Sequence, residues 1–332
     1  MRTPASLLPD SQTLLDRLSG TLSTGGGKRG DVALLDRTPP RMMSTFPNEV
    51  VTCRSADGKT RKLFIKYAGG REHDAFGHRG GIAYEAEVYA RILNSYPDFR
   101  PKCIGTQAGS GTRDAWLLLE FIDRSVRLSD VSVRQRVRQP AAMSKAVNWI
   151  GTFHSTHETD ARKPDLSFLA SYDARYYGGW ALRTAEYAES LLSRFPWLSR
   201  LWESGDEWFK PLLAAPRTVI HGEFYAKTVL LRRDQIYIID WESAAYAPGE
   251  IDLAALTEGI RWPASIVRLC EREYLRARWP EGPPSQFERI LDAARMYLHF
   301  RWLGERPDWT LREKSFWRFD QLFQTARRMG LL

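Results

Sequence analysis

Cysteine is scarce: Cys53, Cys103 and Cys270 are the three in 332 residues. An odd number, widely separated, with no C-x-x-C spacing and no histidine pair beside them, excludes a disulfide framework or a cysteine-based zinc site. Long apolar runs are missing too. No stretch approaches 18 uninterrupted apolar residues, and the opening MRTPASLLPD lacks the apolar run of a signal peptide, so a soluble, cytoplasmic chain with no membrane partner is expected. No internal repeat or low-complexity segment is evident. Lysine is rare among the basic residues, 10 of 48, and the excess over 40 acidic residues leaves a net charge of +8. Such an arginine-rich chain suits planar contacts to phosphate or carboxylate, so an anionic ligand is expected and a polycationic one disfavoured. The most basic stretch, RSVRLSDVSVRQRVR (124–138), has no interleaved aromatic platform on which bases would stack. It reads as a solvated helix face, and nucleic acid is not the expected partner.

What is plentiful is core material. Twelve Trp, 13 Tyr, 15 Phe and a hydrophobic fraction of 43% support a large interior, and the length calls for one large domain or two lobes sharing a core. Ser11 to Leu22 carries apolar positions at helical spacing and runs into STGGGKRG, so residues 1–32 read as an N-terminal appendage with a Gly-rich link. EVVTCRSADGKTRKLFIKY (49–67) is two alternating runs joined at Asp57-Gly58, which predicts a hairpin. IAYEAEVYARILNSY (82–96) predicts a helix, and strands follow around 101–106 and 116–122. Strand, strand, helix, strand, strand makes a small lobe over 33–122. The rest, 123–332, is mostly helical in pattern (141–157, 172–194, 285–302), interrupted by short apolar strands at 217–220 and 236–239. His154 and His157, three apart on a helix with no third ligand in view, are assigned to packing or capping rather than metal. Trp180, Trp202, Trp208 and Trp241 are assigned mostly to core or helix packing.

Those two short strands bracket the chemically informative segment, TVIHGEFYAKTVLLRRDQIYIIDWESAAYAPGEIDLAAL. It places His221, Glu223, Lys227 and Thr228 in a loop and Asp240 at the end of the next strand. A carboxylate at a strand end, 17 residues after another across a hairpin, is one way to hold Mg²⁺ near a proton-accepting group. Two solvent-facing acids at a hairpin end would give the same pattern.

The segment resembles the catalytic loop and metal-binding strand of the aminoglycoside phosphotransferase and choline kinase family, relatives of the protein kinases. In that pattern a His is followed two residues later by a catalytic Asp and five further on by an Asn. His221, Glu223 and Thr228 occupy those places. The metal-binding Asp corresponds to Asp240 in IIDWESA, and a downstream structural Asp to Asp252 in EIDLA. Lys66 in KLFIKY looks like the strand Lys that holds nucleotide phosphates, and Glu87 in YEAEVYARIL like its helix partner, with Glu85 of the same E-x-E competing. WLLLEFID resembles the hinge strand, where backbone between Glu120, Phe121 and Ile122 would meet the adenine edge.

The resemblance, covering roughly residues 40–300, implies an α+β, protein-kinase-like bilobal fold. The N-lobe would be a small antiparallel sheet with one main helix, and the C-lobe larger and mostly helical. Within the latter lie a catalytic loop at 221–228, a metal strand at 236–242 and an acceptor-side insert at 160–216. It further implies ATP or GTP with Mg²⁺ as cofactors and phosphoryl transfer to the hydroxyl of a small molecule or peptide. Glu223 would be the base, Asp240 and Thr228 the metal ligands, and Lys227 a cation near the second metal. His221 and Asp252 would brace the loop. No G-x-G-x-x-G precedes the second strand, and phosphate cover would come from Ser44, Thr45 and backbone N–H groups in STFPNE. Asp to Glu at 223 moves the carboxylate out by one methylene, and Asn to Thr at 228 exchanges an amide oxygen for a hydroxyl. A catalytically silent nucleotide-binding or partner-binding module is therefore the alternative.

Overall fold

The computed structural model describes residues 8–22, 32–39, 46–55, 57–69, 76–77, 80–107, 115–131, 139–158, 164–259 and 262–332. The chain divides into two compact units. The first takes residues 1–74, 79–125 and 237–242, and the second residues 75–78, 126–236 and 243–332.

The first unit contains helix α1 (Ser11–Leu22), strands β1 (Ala33–Thr38), β2 (Asn48–Arg54) and β3 (Thr60–Tyr67), helix α2 (Ile82–Arg91), and strands β4 (Cys103–Gln107) and β5 (Trp116–Glu120). The strands form one antiparallel sheet in the order β1-β2-β3-β5-β4. The β2–β3 hairpin turns at Asp57-Gly58, with Gly58 at φ +75°, a left-handed value that glycine reaches without a Cβ penalty. Alternation along β3 decides which residue faces what. Leu63, Ile65 and Tyr67 join Val51, Cys53, Trp116 and Leu118 in a core capped by Leu14 and Leu18 of α1. Lys66, between them, is turned to the opposite face.

The helix at the N-terminus is therefore no appendage. Leu14 and Leu18, one turn apart, are fully buried in that core. Arg37 donates to the Pro9 carbonyl at 2.8 Å and to Glu49 at 2.7 and 2.8 Å. Gln107 donates to the Arg17 carbonyl at 2.9 Å, and the Arg17 guanidinium lies 4.2 Å from the Trp116 ring centre.

The second unit holds strand β6 (Val126–Arg127), helix α3 (Gln139–Glu158), strand β7 (Ala170–Ser171) and helices α4 (Ala174–Tyr187), α5 (Trp197–Glu203) and α6 (Lys210–Ala214). Strands β8 (Arg217–Ile220) and β9 (Val229–Arg232) follow. The chain crosses into the first unit within β10 (Gln235–Ile238) and returns to form β11 (Ala245–Pro248). Helices α7 (Glu250–Leu256), α8 (Ala264–Arg278), α9 (Phe287–Leu303), α10 (Pro307–Thr310) and α11 (Phe316–Arg328) complete it. Helix α9 is buried on nearly every side, packed by α4, α6, α7, α10 and α11. Helix α3 packs on α8 and β8, and β11 pairs antiparallel with β8 and parallel with β7. Trp180, Trp208 and Trp241 are buried; Trp202 is half-buried. The described part of the basic stretch at 124–131 is the short strand β6 and a turn rather than a helix face, and 132–138 lie outside the described residues. Among the described residues no helix is long and apolar enough to cross a membrane.

Candidate active site

In the first unit one buried ammonium organises three carboxylates. Lys66 Nζ lies 2.7 Å from Glu85 Oε2 and 2.6 Å from Asp240 Oδ1. Burial opposes its charge, but Asp240, Glu85 and Glu242 outweigh that cost and hold the pKa well above the usual lysine value. Glu85 reaches Lys66 because it lies on the buried stripe of α2, with Ile82, Val88 and Tyr89. Its other oxygen accepts from the Trp241 N–H at 3.1 Å, which pins the turn after β10 to the helix. In that turn Asp240 adopts φ +74°, a left-handed conformation that aspartate tolerates better than most residues and that is frequent at functional sites. Carboxylate oxygens of Glu85, Asp240 and Glu242 lie within 4.8 Å of one another. Hard oxygen donors suit Mg²⁺. Glu85, Asp240 and Glu242 are the residues that could hold an ion, with Glu85 accepting from Lys66 and Trp241 and Asp240 Oδ1 from Lys66.

In the second unit the loop after β8 is fixed from below by Asp252 of α7. Its carboxylate accepts from the His221 N–H at 2.6 Å and the Gly222 N–H at 2.9 Å. Gly222 sits at φ +80°, and a Cβ there would lie 2.1 Å from the Ser243 carbonyl oxygen, so no other residue fits without moving backbone. The Glu223 N–H donates to His221 Nδ1 at 3.2 Å. Below Asp252 a chain of buried polar groups continues. Arg278 Nη1 donates to the Tyr274 hydroxyl at 2.7 Å, that hydroxyl lies 2.9 Å from His154 Nδ1, and His154 Nε2 lies 3.2 Å from Asp252. With Arg278 donating to it, the tyrosine gives its own proton to Nδ1, so His154 is neutral with its proton on Nε2, facing Asp252. Burial draws its pKa from 6.5 down to about 4 against the pull of Asp252.

That shift has a stability consequence. A folded-state pKa below the unfolded one means the unfolded chain binds more protons, so the stabilisation is full above pH 6.5 and is lost as pH falls toward 4. Between pH 7 and 4 the wild type should lose on the order of 3 kcal/mol more than His154→Gln. Urea midpoints at several pH values would show this; identical pH slopes for the two proteins would refute it.

Two features of the loop were invisible in the linear pattern. Arg301, from α9, donates through Nη1 to the Gly222 carbonyl at 2.9 Å and through Nη2 to Glu223 Oε1 at 2.6 Å. Thr228 is buried, and its hydroxyl lies 2.8 Å from the Tyr225 carbonyl and 3.0 Å from that of Glu223, closing the turn at 226–228. Its proton is directed into the loop, which it braces. Lys227 is exposed, with its ammonium 5.1 Å from the Tyr225 ring centre.

With this geometry in view, residues 78–304 match the family described as the phosphotransferase enzyme family, well over half of the chain. The chain belongs to the phosphotransferase enzyme family. Among curated proteins it is 30% identical over 110 residues to an N-acetylmuramate/N-acetylglucosamine kinase of Neisseria meningitidis serogroup B. The match covers 32% of this chain and 31% of that relative, so the chain aligns with about a third of its length. Among solved structures, choline kinase LicA from Streptococcus pneumoniae is 12% identical with a TM-score of 0.59, over 97% of this chain and 99% of that one. A spectinomycin phosphotransferase solved with ADP and spectinomycin is 15% identical with a TM-score of 0.58, over 98% and 99%. At such identities the likeness concerns the fold, the mixed α/β, protein-kinase-like fold expected from the sequence.

Several expected positions of this phosphotransferase-family chain need revision. Glu87 is not the partner of Lys66: it is half-exposed and paired with Arg91 on its own helix, and Glu85 takes the role. Residues two positions apart on a helix are about 200° apart around its axis, so only one of an E-x-E pair can face the sheet. The Phe121 N–H donates to the Lys62 carbonyl at 3.0 Å and its carbonyl accepts from the Asp123 N–H at 3.0 Å. Of the other hinge residues, the Glu120 N–H donates to the Lys102 carbonyl at 2.8 Å and the Ile122 carbonyl accepts from the Ser125 hydroxyl at 2.8 Å. Ser44 and Thr45 lie outside the described residues. Sequence reading had no account of Arg301 or Glu242.

Proposed function

We propose that this chain is a nucleotide-dependent phosphotransferase acting on a hydroxyl of a small polar acceptor, with N-acetylated amino sugars the first class to test. The observation that carries the proposal is the buried Lys66 held between Glu85 and Asp240. An ammonium kept charged inside a protein by carboxylates is suited to receive nucleotide phosphates, and a structural fold has no need to desolvate it. The acceptor class follows the kinase relative named above.

In this reading Glu85 aims Lys66 at the phosphates, and Asp240 with Glu242 provides the oxygen donors for Mg²⁺. When bound, that ion neutralises charge on the transferring phosphoryl group. Backbone of the hinge at 120–122 receives the base. Glu223 orients the acceptor hydroxyl and takes its proton as the new oxygen–phosphorus bond forms, while the bond from the γ-phosphorus to the bridging oxygen breaks and releases the nucleoside diphosphate. His221 and Asp252 keep the loop in place.

A thermal-shift titration with ATP and GTP, with and without Mg²⁺, tests the nucleotide half directly. Nucleotide at 100 times its Kd stabilises the folded protein by about 2.7 kcal/mol, so a clear Mg²⁺-dependent rise in the midpoint is expected with at least one of the two. No rise with either would contradict the proposal.

A further inference from the structure

The side chain of Glu223 must be aimed at the acceptor, and Arg301 of α9 reaches that side chain. The backbone beneath it is tied down from several sides. Asp252 holds the N–H groups of 221 and 222, His221 accepts from the N–H of 223, and the Thr228 hydroxyl meets the carbonyls of 223 and 225. Gly222 has no room for a Cβ. The glutamate side chain itself has one more rotatable bond to fix than aspartate.

Arg301 removes that freedom. Its planar guanidinium bonds the Gly222 carbonyl with one nitrogen and the Glu223 carboxylate with another, so one rigid fork references the side chain to the backbone step that carries it. The arginine is itself fixed. It is 5% exposed on α9, and the Glu223 carboxylate supports its charge against the cost of burial. Tyr176 and Tyr297 are joined to each other, hydroxyl to hydroxyl, at 2.9 Å. An aspartate at 223 would withdraw its carboxylate by about 1.5 Å and lose the fork, a displacement of the size that costs about a hundredfold when it falls on a reacting group.

We infer that Arg301 is a positioning residue for the phosphoryl acceptor. It sets the Glu223 carboxylate at the distance the loop requires, and it makes glutamate, not aspartate, the working acid of this chain. The inference rests on the functional reading above and adds to it an assigned residue and a direction: the loop is an adapted site rather than a decayed one. Arginine matters here for its geometry, since lysine offers a point charge in place of a planar fork.

The test is a double-mutant cycle on the full chain. Arg301→Met, of similar reach and without charge, should lower kcat about 10- to 100-fold while KM for ATP stays within about twofold. Arg301→Lys should recover part of the loss. Glu223→Asp should lower kcat by a similar factor, and in a Glu223→Gln background Arg301→Met should cost little more, because the two residues act as one. A merely structural role for Arg301 would reduce the folded fraction without that coupling and without rescue by lysine. Hydrogen exchange at amides 222–225 gives a readout that does not need turnover: Arg301→Met should accelerate it within the loop only. Wild-type kcat in Arg301→Met, a full additional loss in the Glu223→Gln background, or unchanged loop exchange would each overturn the inference. A wild type with no nucleotide-induced thermal shift would instead remove the functional reading, and loop exchange would still decide whether Arg301 holds Glu223.

Discussion

Lys66→Ala should abolish the nucleotide-induced thermal shift and lower kcat/KM about a thousandfold. The ammonium lies 2.7 and 2.6 Å from two carboxylates, with a third close by. Its loss therefore removes a phosphate contact and leaves a buried cluster of like charges. The second effect alone costs about 3–5 kcal/mol of fold stability, which would mimic loss of binding in an unfolded sample. Lys66→Met combined with Glu85→Gln separates the two, because it removes both members of the fully buried pair. That protein should recover a cooperative urea transition and still show no nucleotide shift. Nucleotide binding in the double variant at wild-type strength would show that phosphates are held elsewhere.

Asp240→Asn should reduce turnover about a thousandfold while leaving the fold intact. The amide oxygen can still accept from Lys66, and the side chain keeps its size and its tolerance of φ +74°. What is lost is one carboxylate of the cluster of Glu85, Asp240 and Glu242 that could hold Mg²⁺. The nucleotide shift should persist in weakened form and lose its dependence on Mg²⁺. The Mg²⁺ dependence of turnover in wild type and variant checks this, and equal dependence in the two would place the ion on other residues.

Much of this was legible in the chain. The Asp57-Gly58 turn fixes the register of β2 against β3, and alternation from there puts Lys66 on the face opposite the α1 core. The choice between Glu85 and Glu87 is legible too: Ile82, Glu85, Val88 and Tyr89 fall on one helical face, and Glu87 does not. Helix α1 showed its apolar face at Leu14 and Leu18, but nothing local says which sheet will cover it. The Gly-rich stretch after it resembled a link to something separate. Arg301 lies 78 residues beyond Glu223, and no short-range pattern joins them. The available signal is subtler: Arg301 sits in the mostly apolar run YLHFRWL, and a charged residue in such a run must find a partner. Which partner is a property of tertiary packing alone.

The most direct test of the account is a ³¹P NMR time course of the full chain with ATP, Mg²⁺ and an N-acetylated amino sugar, followed against Asp240→Asn. The account predicts growth of a sugar phosphomonoester resonance matched by conversion of ATP to ADP in the wild type, and neither change in the variant. Nucleotide that binds the wild type yet yields no phosphomonoester with amino sugars, choline or any other hydroxyl acceptor would contradict it and leave a silent nucleotide-binding module.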